Sequence, residues 1–180
     1  RRIVFDAGLI GTWTWQPNRV GLEWFLEKVA PHLPENFSIG LAGHVPSDFG
    51  KMPPQVSLLG RVADAKLFVN SCAVIPLVSR SGTGVQLKSI ETFEAGLPSV
   101  ATLRSLRGIK TVPSNCVVAN DPRAFADALV QLASQRRSNV ITDADGSSFH
   151  RQQLIEQDRA VFLALEAFRS GKAAAQGRAA

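Results

Sequence analysis

The chain has 180 residues, 45% of them hydrophobic, and carries a formal net charge of +5 at pH 7. This length and composition suit one domain with a sizeable core and exclude a chain that is disordered throughout. The basic excess is small and scattered, so it suits an anionic small ligand or membrane headgroups and argues against nucleic acid as a partner.

Six short apolar runs predict β-strands, and segments with apolar residues at helical spacing lie between them. The predicted strands cover residues 3–10, 37–42, 56–59, 72–78, 99–102 and 116–119. The predicted helices start near residues 17, 63, 85 and 121. Because strands and helices alternate and the strands are continuously apolar, we expect an α/β fold. It would be a doubly wound, mostly parallel six-stranded sheet with helices on both faces.

The chain divides into three predicted parts. Residues 1–148 form a Rossmann-like domain, residues 149–170 an amphipathic helix, and the Ala/Gly-rich residues 171–180 a disordered tail. Because the chain opens with two arginines and has Met52 as its single methionine, we interpret it as a fragment or processed product of a longer polypeptide. An apolar stripe on the last helix must pack on this domain or on a missing one, and it comprises Leu154, Val161, Leu165 and Phe168.

No apolar run approaches the ~20 residues that cross a bilayer, and no signal peptide is visible. Cys72 and Cys116 each lie in or beside an apolar strand, which is typical of small buried thiols rather than of a disulfide or metal ligands. We therefore expect a cytoplasmic protein in a reducing compartment, with peripheral membrane association as an option.

A glycine-rich turn lies between the fourth predicted strand and the helix that follows it. Gly82 and Gly84 flank Thr83 and relieve backbone crowding, and the helix starts near Val85. The free N–H groups and the positive dipole end at a helix N-terminus favour an anion. The turn therefore predicts a site for a phosphorylated ligand.

In open parallel sheets, ligands bind beyond the carboxyl ends of the strands. The loops after the first, third, fourth and fifth predicted strands carry aromatic and basic residues, and a lysine and a glutamate lie on the helix behind them: Trp13, Trp15, Arg61, Arg80, Arg104, Arg107, Lys88 and Glu91. Cations bind phosphate, a carboxylate binds sugar hydroxyls, and aromatic rings present faces to a sugar or base.

Each of these residues also has a simpler explanation. Lys88 and Glu91 are three residues apart on a helix and can form a surface ion pair. The two tryptophans, in a loop predicted to be exposed, can cover the sheet edge. Arg104 and Arg107 can be solvated loop residues, and Glu94 is expected on a solvated helix face.

Other kinds of site are poorly supported. Leu87 occupies the third glycine position of a dinucleotide fingerprint that would begin at Gly82. The three histidines lack metal-ligand spacing, and the sequence contains neither a Walker A motif nor a Gly-x-Ser-x-Gly elbow. We expect neither a metal nor a bound cofactor.

A series of short motifs runs through residues 3–135 in a specific order. It comprises Phe5 through Pro17-Asn18, Trp24-Phe25-Leu26, Ile39-Gly40-Leu41-Ala42-Gly43, Gly60-Arg61-Val62-Ala63-Asp64, Pro76-Leu77, the run from Gly84 to Glu91, and the run from Ala95 to Thr102. The series resembles the C-terminal half of glycosyltransferase family 4. The resemblance implies one Rossmann-like half of a GT-B fold. This half binds the nucleotide-sugar donor, such as a UDP- or GDP-sugar, and a missing N-terminal domain supplies most of the acceptor site.

The resemblance also implies roles for single residues. Glu91 matches the second Glu of the family's E-x7-E motif, which holds the ribose hydroxyls. The first Glu falls at Thr83, which implies that the backbone of the turn contacts the donor sugar. Arg61 matches a position that contacts the base. The donor-binding set is Glu91, Lys88, Gly82, Thr83, Gly84, Val85, Arg61 and Arg80, with Trp13, Trp15 and Asn18 on the sugar or acceptor side.

Family members are retaining enzymes whose donor phosphate helps to deprotonate the acceptor, so the resemblance assigns no catalytic side chain to this half. The expected function is the donor-binding half of a retaining glycosyltransferase in surface polysaccharide or glycoconjugate synthesis, inactive on its own. One alternative is a non-catalytic docking or regulatory module of the same descent, which would use the predicted helix from Phe149 to Phe168. A third is a sugar-nucleotide epimerase-like domain.

Overall fold

The computed structural model describes residues 2–50 and 52–176. The strands are β1 (Phe5–Ile10), β2 (Ile39–Ala42), β3 (Val56–Gly60), β4 (Cys72–Leu77), β5 (Ser99–Ala101) and β6 (Cys116–Val118). The helices are α1 (Gln16–Trp24), α2 (Ala65–Asn70), α3 (Leu87–Glu94), α4 (Pro122–Arg137) and α5 (Gly146–Gln176). A π-helical turn (Phe25–Val29) and a 3-10 turn (Ala30–His32) continue α1, and further 3-10 turns cover Ser47–Phe49 and Leu103–Leu106.

Within the described residues, the six strands form one sheet in the order β3-β2-β1-β4-β5-β6, and every neighbouring pair is parallel. The predicted α/β, doubly wound architecture is therefore confirmed. From β1 the chain builds outward to β3, and it then returns to the other side of β1 with β4. The strand order thus reverses between β1 and β4, which is the point where open sheets of this kind bind ligands.

The sheet separates two hydrophobic cores, as expected from the alternating side-chain directions of a strand. On one face, α1 and α4 pack together, and Trp24 meets Phe125 edge to face at 5.3 Å between ring centroids. On the other face, α2, α3 and α5 cover the sheet, and Phe93 meets Phe149 in the same way at 5.3 Å. Helices therefore cover both faces, as predicted.

Side-chain caps set the starts of several helices. The Asp121 carboxylate accepts a hydrogen bond from the Ala124 amide at 2.9 Å, and Asp64 caps α2 in the same way, so α2 starts after it and not at residue 63. Asp145 accepts from the amides of Ser147 and Ser148, which explains why α5 starts at Gly146 and not at residue 149. The helix after the glycine-rich turn starts at Leu87, two residues later than predicted.

The last helix is longer than predicted. Residues 171–176, predicted as part of a tail, continue α5, and residues 177–180 lie outside the described part of the chain. Phe149, at its start, is buried, whereas Leu154 and Val161 of the predicted stripe are exposed. The side chains of Leu165 and Phe168 lie outside the described residues. Among the helices of residues 2–50 and 52–176, none combines the length and apolarity needed to span a bilayer.

Candidate functional site

A cavity of about 460 Å³ opens at the carboxyl ends of β1 and β4, where the strand order reverses. Residues of β1, β4, α1, α2 and α3 line this cavity. The predicted site residues that line the cavity are Trp13, Asn18, Lys88 and Glu91. This size and position are typical of small-ligand sites in open α/β sheets.

Lys88 brings a half-buried cation to this cavity. Its Nζ lies 5.0 Å from the centroid of the Trp13 ring. Burial lowers the pKa of Lys88 to about 8, and the charge of Glu91 opposes that shift only in part. No carboxylate or other hydrogen-bond acceptor pairs with the ammonium group within the described residues, so its charge is free for an anionic ligand.

The backbone of Gly11 makes room for this lysine. A Cβ atom at position 11 would lie 2.7 Å from Lys88 Nζ and 3.2 Å from the nearest atom of the Trp13 ring. Gly11 directly follows β1, so the lysine reaches across from α3 to the end of the neighbouring strand. The position of the cation therefore depends on two elements that are distant in sequence.

Trp13 is buried and is not an exposed aromatic, so that prediction is wrong. Only 2% of its surface is accessible, and its Nε1 donates a hydrogen bond to the Ala42 carbonyl at 2.8 Å. Trp15 is exposed and does not line the cavity. Asn18 does line it, and its Nδ2 donates to the Thr12 carbonyl at 3.1 Å.

Glu91 is exposed at the cavity and lies one turn of α3 beyond Lys88. Spacing alone permits a surface ion pair between Lys88 and Glu91, but the described part of the chain contains no such pair. Glu94 is exposed, as expected, and its carboxylate binds His150 Nδ1 of α5 at 2.7 Å. Of the two carboxylates, Glu91 is therefore the one left open to a ligand.

Residues 80–85, which we call the glycine turn, lie beside the cavity. Ser79 and Gln86, which flank the turn, line the cavity wall, whereas the turn itself does not. Gly82 has a φ of 97°, a conformation that suits glycine. The Arg80 guanidinium stacks on the Trp24 ring at 4.7 Å, on the α1 side of the turn. Arg61 is exposed and does not line the cavity. Lys88 lines the cavity, but Arg61 and Arg80 do not.

A cluster of hydroxyl groups supports the glycine turn, and the sequence analysis missed it. The Thr102 hydroxyl donates to the Ser79 carbonyl at 2.6 Å, and Ser105 Oγ accepts from the Ser79 amide at 3.0 Å. The Ser89 hydroxyl of α3 donates to the Ser105 carbonyl at 2.6 Å. These bonds tie the ends of β4 and β5 to α3. The sequence signal for this cluster was weak: a hydroxyl residue, Thr102, directly follows β5, and a second one, Ser105, lies three positions after it.

Lys66 is a second cation that sequence reasoning did not single out. It lies on α2 and lines the cavity together with the apolar residues Ala65 and Val69. The sequence could have indicated Lys66 as a site residue, because Lys66 lies in the first turn of the helix that follows the loop after β3.

Three solved structures share the fold over most of this chain. TarM superposes with a TM-score of 0.55 at 16% identity, covering 86% of this chain and 35% of TarM. HepE from Anabaena in complex with UDP and glucose gives a TM-score of 0.55 at 14% identity, covering 84% of this chain and 47% of HepE. HepE in complex with UDP gives 0.54 at 15% identity, covering 86% and 48%.

The chain therefore spans between about a third and a half of the length of these proteins. At these identities the likeness establishes the fold. No curated protein sequence matches the chain.

A family model described as "Glycosyl transferases group 1" matches residues 5–135, which include all six strands of the described residues and all the residues that line the cavity. The match covers well over half of the sequence and ends within α4. The chain belongs to the glycosyl transferase group 1 family.

Proposed function

We propose that this chain is the donor-binding half of a retaining, family 4 glycosyltransferase of the GT-B type that builds a surface polysaccharide or glycoconjugate. The observation that carries the proposal is the half-buried ammonium group of Lys88, which has no ion-pair partner among the described residues and lies in the cavity at the strand-order reversal. A nucleoside diphosphate sugar has the doubly charged linkage that such a cation would neutralise.

Lys88 would bind the diphosphate, and Glu91 would bind the ribose hydroxyls. The two side chains lie three residues apart on α3, so one helix presents a cation and a carboxylate to neighbouring parts of one ligand. The apolar wall formed by Ala65 and Val69 offers a surface for the base. The glycine turn, which flanks the cavity, would present backbone amides to the phosphates or the sugar.

Transfer with retention needs no general base from this half. The bond between the anomeric carbon and the donor phosphate breaks, the acceptor oxygen bonds to that carbon, and the leaving phosphate takes the acceptor proton. The residues of this chain would hold the phosphate and stabilise its growing negative charge. The acceptor site would lie on a second domain, which the exposed apolar residues of α5 would contact.

Calorimetric titration with UDP, GDP and ADP tests the proposal. Lys88→Met and Glu91→Gln should each weaken binding of the preferred nucleotide by roughly ten- to a hundredfold, the value of a charged hydrogen bond. Lys110→Met and Glu27→Gln are matched controls, because both residues are exposed and neither lines the cavity. These two variants should bind like the wild type.

The absence of binding at millimolar concentrations of all three nucleotides would refute the proposal and favour a docking module. Equal losses of affinity in the site variants and in the controls would refute the roles assigned to Lys88 and Glu91, because affinity would then depend only on the net charge of the protein.

A further inference from the structure

One side chain in the loop after β5 holds the glycine turn. Arg107 donates to the Gly84 carbonyl from Nε at 3.1 Å and from Nη2 at 2.8 Å, and its Nη1 donates to the Gly82 carbonyl. The planar guanidinium group therefore fixes two carbonyls of the turn relative to each other. From sequence, Arg107 is predicted to be either a ligand contact or a solvated loop residue, and this role as a support of the turn is neither of them.

This arrangement also fixes two amide groups. In a trans peptide the N–H points opposite to the C=O, and the described residues include no cis peptide. The Gly82 carbonyl shares its peptide with the Thr83 amide, and the Gly84 carbonyl shares its peptide with the Val85 amide. Arg107 therefore turns both amides away from itself. Neither amide has an acceptor within the described residues.

The loop that carries Arg107 is itself well supported. Ser105 lies two residues earlier and its hydroxyl donates to the Leu77 carbonyl at 2.6 Å. Gly108 follows with a φ of 80°, and a Cβ atom there would lie 2.8 Å from Val85 Cγ2. The absence of a side chain at position 108 thus lets the loop approach the turn closely. The turn lies next to the cavity wall: a Cβ atom at Gly82 would lie 3.8 Å from Arg107 Nη2 and 3.8 Å from the Cβ of Pro17, which lines the cavity.

We propose that Arg107 is a positioning residue for the donor diphosphate: it binds the carbonyls of the glycine turn so that the amides of Thr83 and Val85 bind the phosphates. This inference rests on the proposed function and adds to it. Three of the five N–H groups of Arg107 are already engaged with Gly82 and Gly84. The guanidinium group therefore acts through the backbone and not as a direct phosphate ligand.

The test is an NMR titration of the whole ¹⁵N-labelled chain with UDP, inorganic pyrophosphate and uridine. In the wild type, the amide signals of Thr83 and Val85 should move with UDP and with pyrophosphate but not with uridine. Arg107→Ala should shift these two signals already without ligand. It should also weaken UDP and pyrophosphate binding roughly tenfold, since a set of charged hydrogen bonds is lost.

Two further variants separate geometry from charge. Arg107→Lys keeps the charge but not the planar fork, so it should lose affinity as Arg107→Ala does. Arg104→Ala removes an exposed charge from the same loop and should match the wild type. Wild-type affinity for uridine in each variant, with an unchanged overall spectrum, excludes loss of folding as the cause.

The outcomes separate the inference from the proposed function. If UDP moves the signals of Lys88 and Glu91 but not those of Thr83 and Val85, the positioning role fails and the proposed function survives. Wild-type affinity in Arg107→Lys, or equal losses in Arg107→Ala and Arg104→Ala, would also overturn the positioning role. If none of the signals responds to UDP or pyrophosphate, both the inference and the proposed function fail.

Discussion

The ammonium group of Lys88 lies over the face of the Trp13 ring, 5.0 Å from its centroid. The ring cannot turn freely, because its Nε1 donates to the Ala42 carbonyl at the end of β2. An aromatic face stabilises a cation without neutralising it, so the charge stays available to an anion. This relationship joins the loop after β1, the end of β2 and helix α3 in one site.

The affinity for UDP should depend on pH through Lys88. Burial lowers the pKa of Lys88 to about 8, so the side chain is mostly protonated at pH 7 and mostly neutral at pH 9. A bound diphosphate favours the protonated form, so affinity should be highest below about pH 8. Above it, affinity should fall by up to roughly tenfold per pH unit. Calorimetry between about pH 7 and pH 10 measures this slope, which Lys88→Met should abolish. The same slope in Lys88→Met would assign the titration to another group.

Trp13 should contribute to stability through its indole N–H as well as through its ring. Trp13→Phe keeps an aromatic face but removes one of the two donors to the buried Ala42 carbonyl, which keeps its hydrogen bond from the Gly11 amide. We expect a loss of about 1–3 kcal/mol in the free energy of unfolding, measured by urea denaturation. Trp15→Phe, at an exposed position, is the control and should change stability by less than about 0.5 kcal/mol. Equal effects of the two substitutions would contradict the role of the buried hydrogen bond.

Substitutions at two glycines should separate affinity from stability. A Cβ atom at Gly11 would meet the flexible end of Lys88, so Gly11→Ala should displace the ammonium group and weaken UDP binding at a small cost in stability. A Cβ atom at Gly21 would lie 2.4 Å from the Val78 carbonyl oxygen, which belongs to the backbone and cannot move freely. Gly21→Ala should therefore lower the free energy of unfolding by about 1–3 kcal/mol. Calorimetry and denaturation on both variants test the contrast, and the opposite ranking would contradict the assigned contacts.

Asp6 should make stability depend on pH in the acid range. Burial by itself would raise the pKa of Asp6, but hydrogen bonds from the Ser38 amide, from Arg137 and from the Ser38 hydroxyl, with the Arg137 charge, outweigh it and lower the pKa. Because the folded pKa is lower than the unfolded one, the carboxylate stabilises the fold above about pH 4. That contribution is lost as the pH falls through the folded pKa.

Asp6→Asn should lower the free energy of unfolding by about 1–3 kcal/mol at neutral pH, and the difference from the wild type should shrink in acid. Denaturation at several pH values measures it, with the exposed Asp127→Asn as control. A difference that stays constant down to about pH 2 would rule out the ionised carboxylate as its source.

The strands, and with them the fold class, were predictable from sequence because their apolar runs are continuous. Parallel strands covered on both faces bury successive residues on opposite sides, and the fully buried β4 follows this rule. Lys88 and Glu91 were predictable for a related reason. Their helix follows a glycine-rich turn at a strand end, so local sequence places them at the cavity.

Contacts between distant segments were decided only by the tertiary structure. Local sequence shows that Arg80 lies in the glycine turn, but it does not show which residue Arg80 contacts. In the structure Arg80 stacks on Trp24, and the arginine that binds the turn is Arg107, from a different loop. Trp13 packs in a hydrophobic core, and its indole N–H finds its acceptor, the Ala42 carbonyl, on another strand. The pattern of apolar and polar residues along the sequence indicates burial and local geometry. The partners of a charged or polar side chain depend instead on which helices and strands the folded sheet brings together.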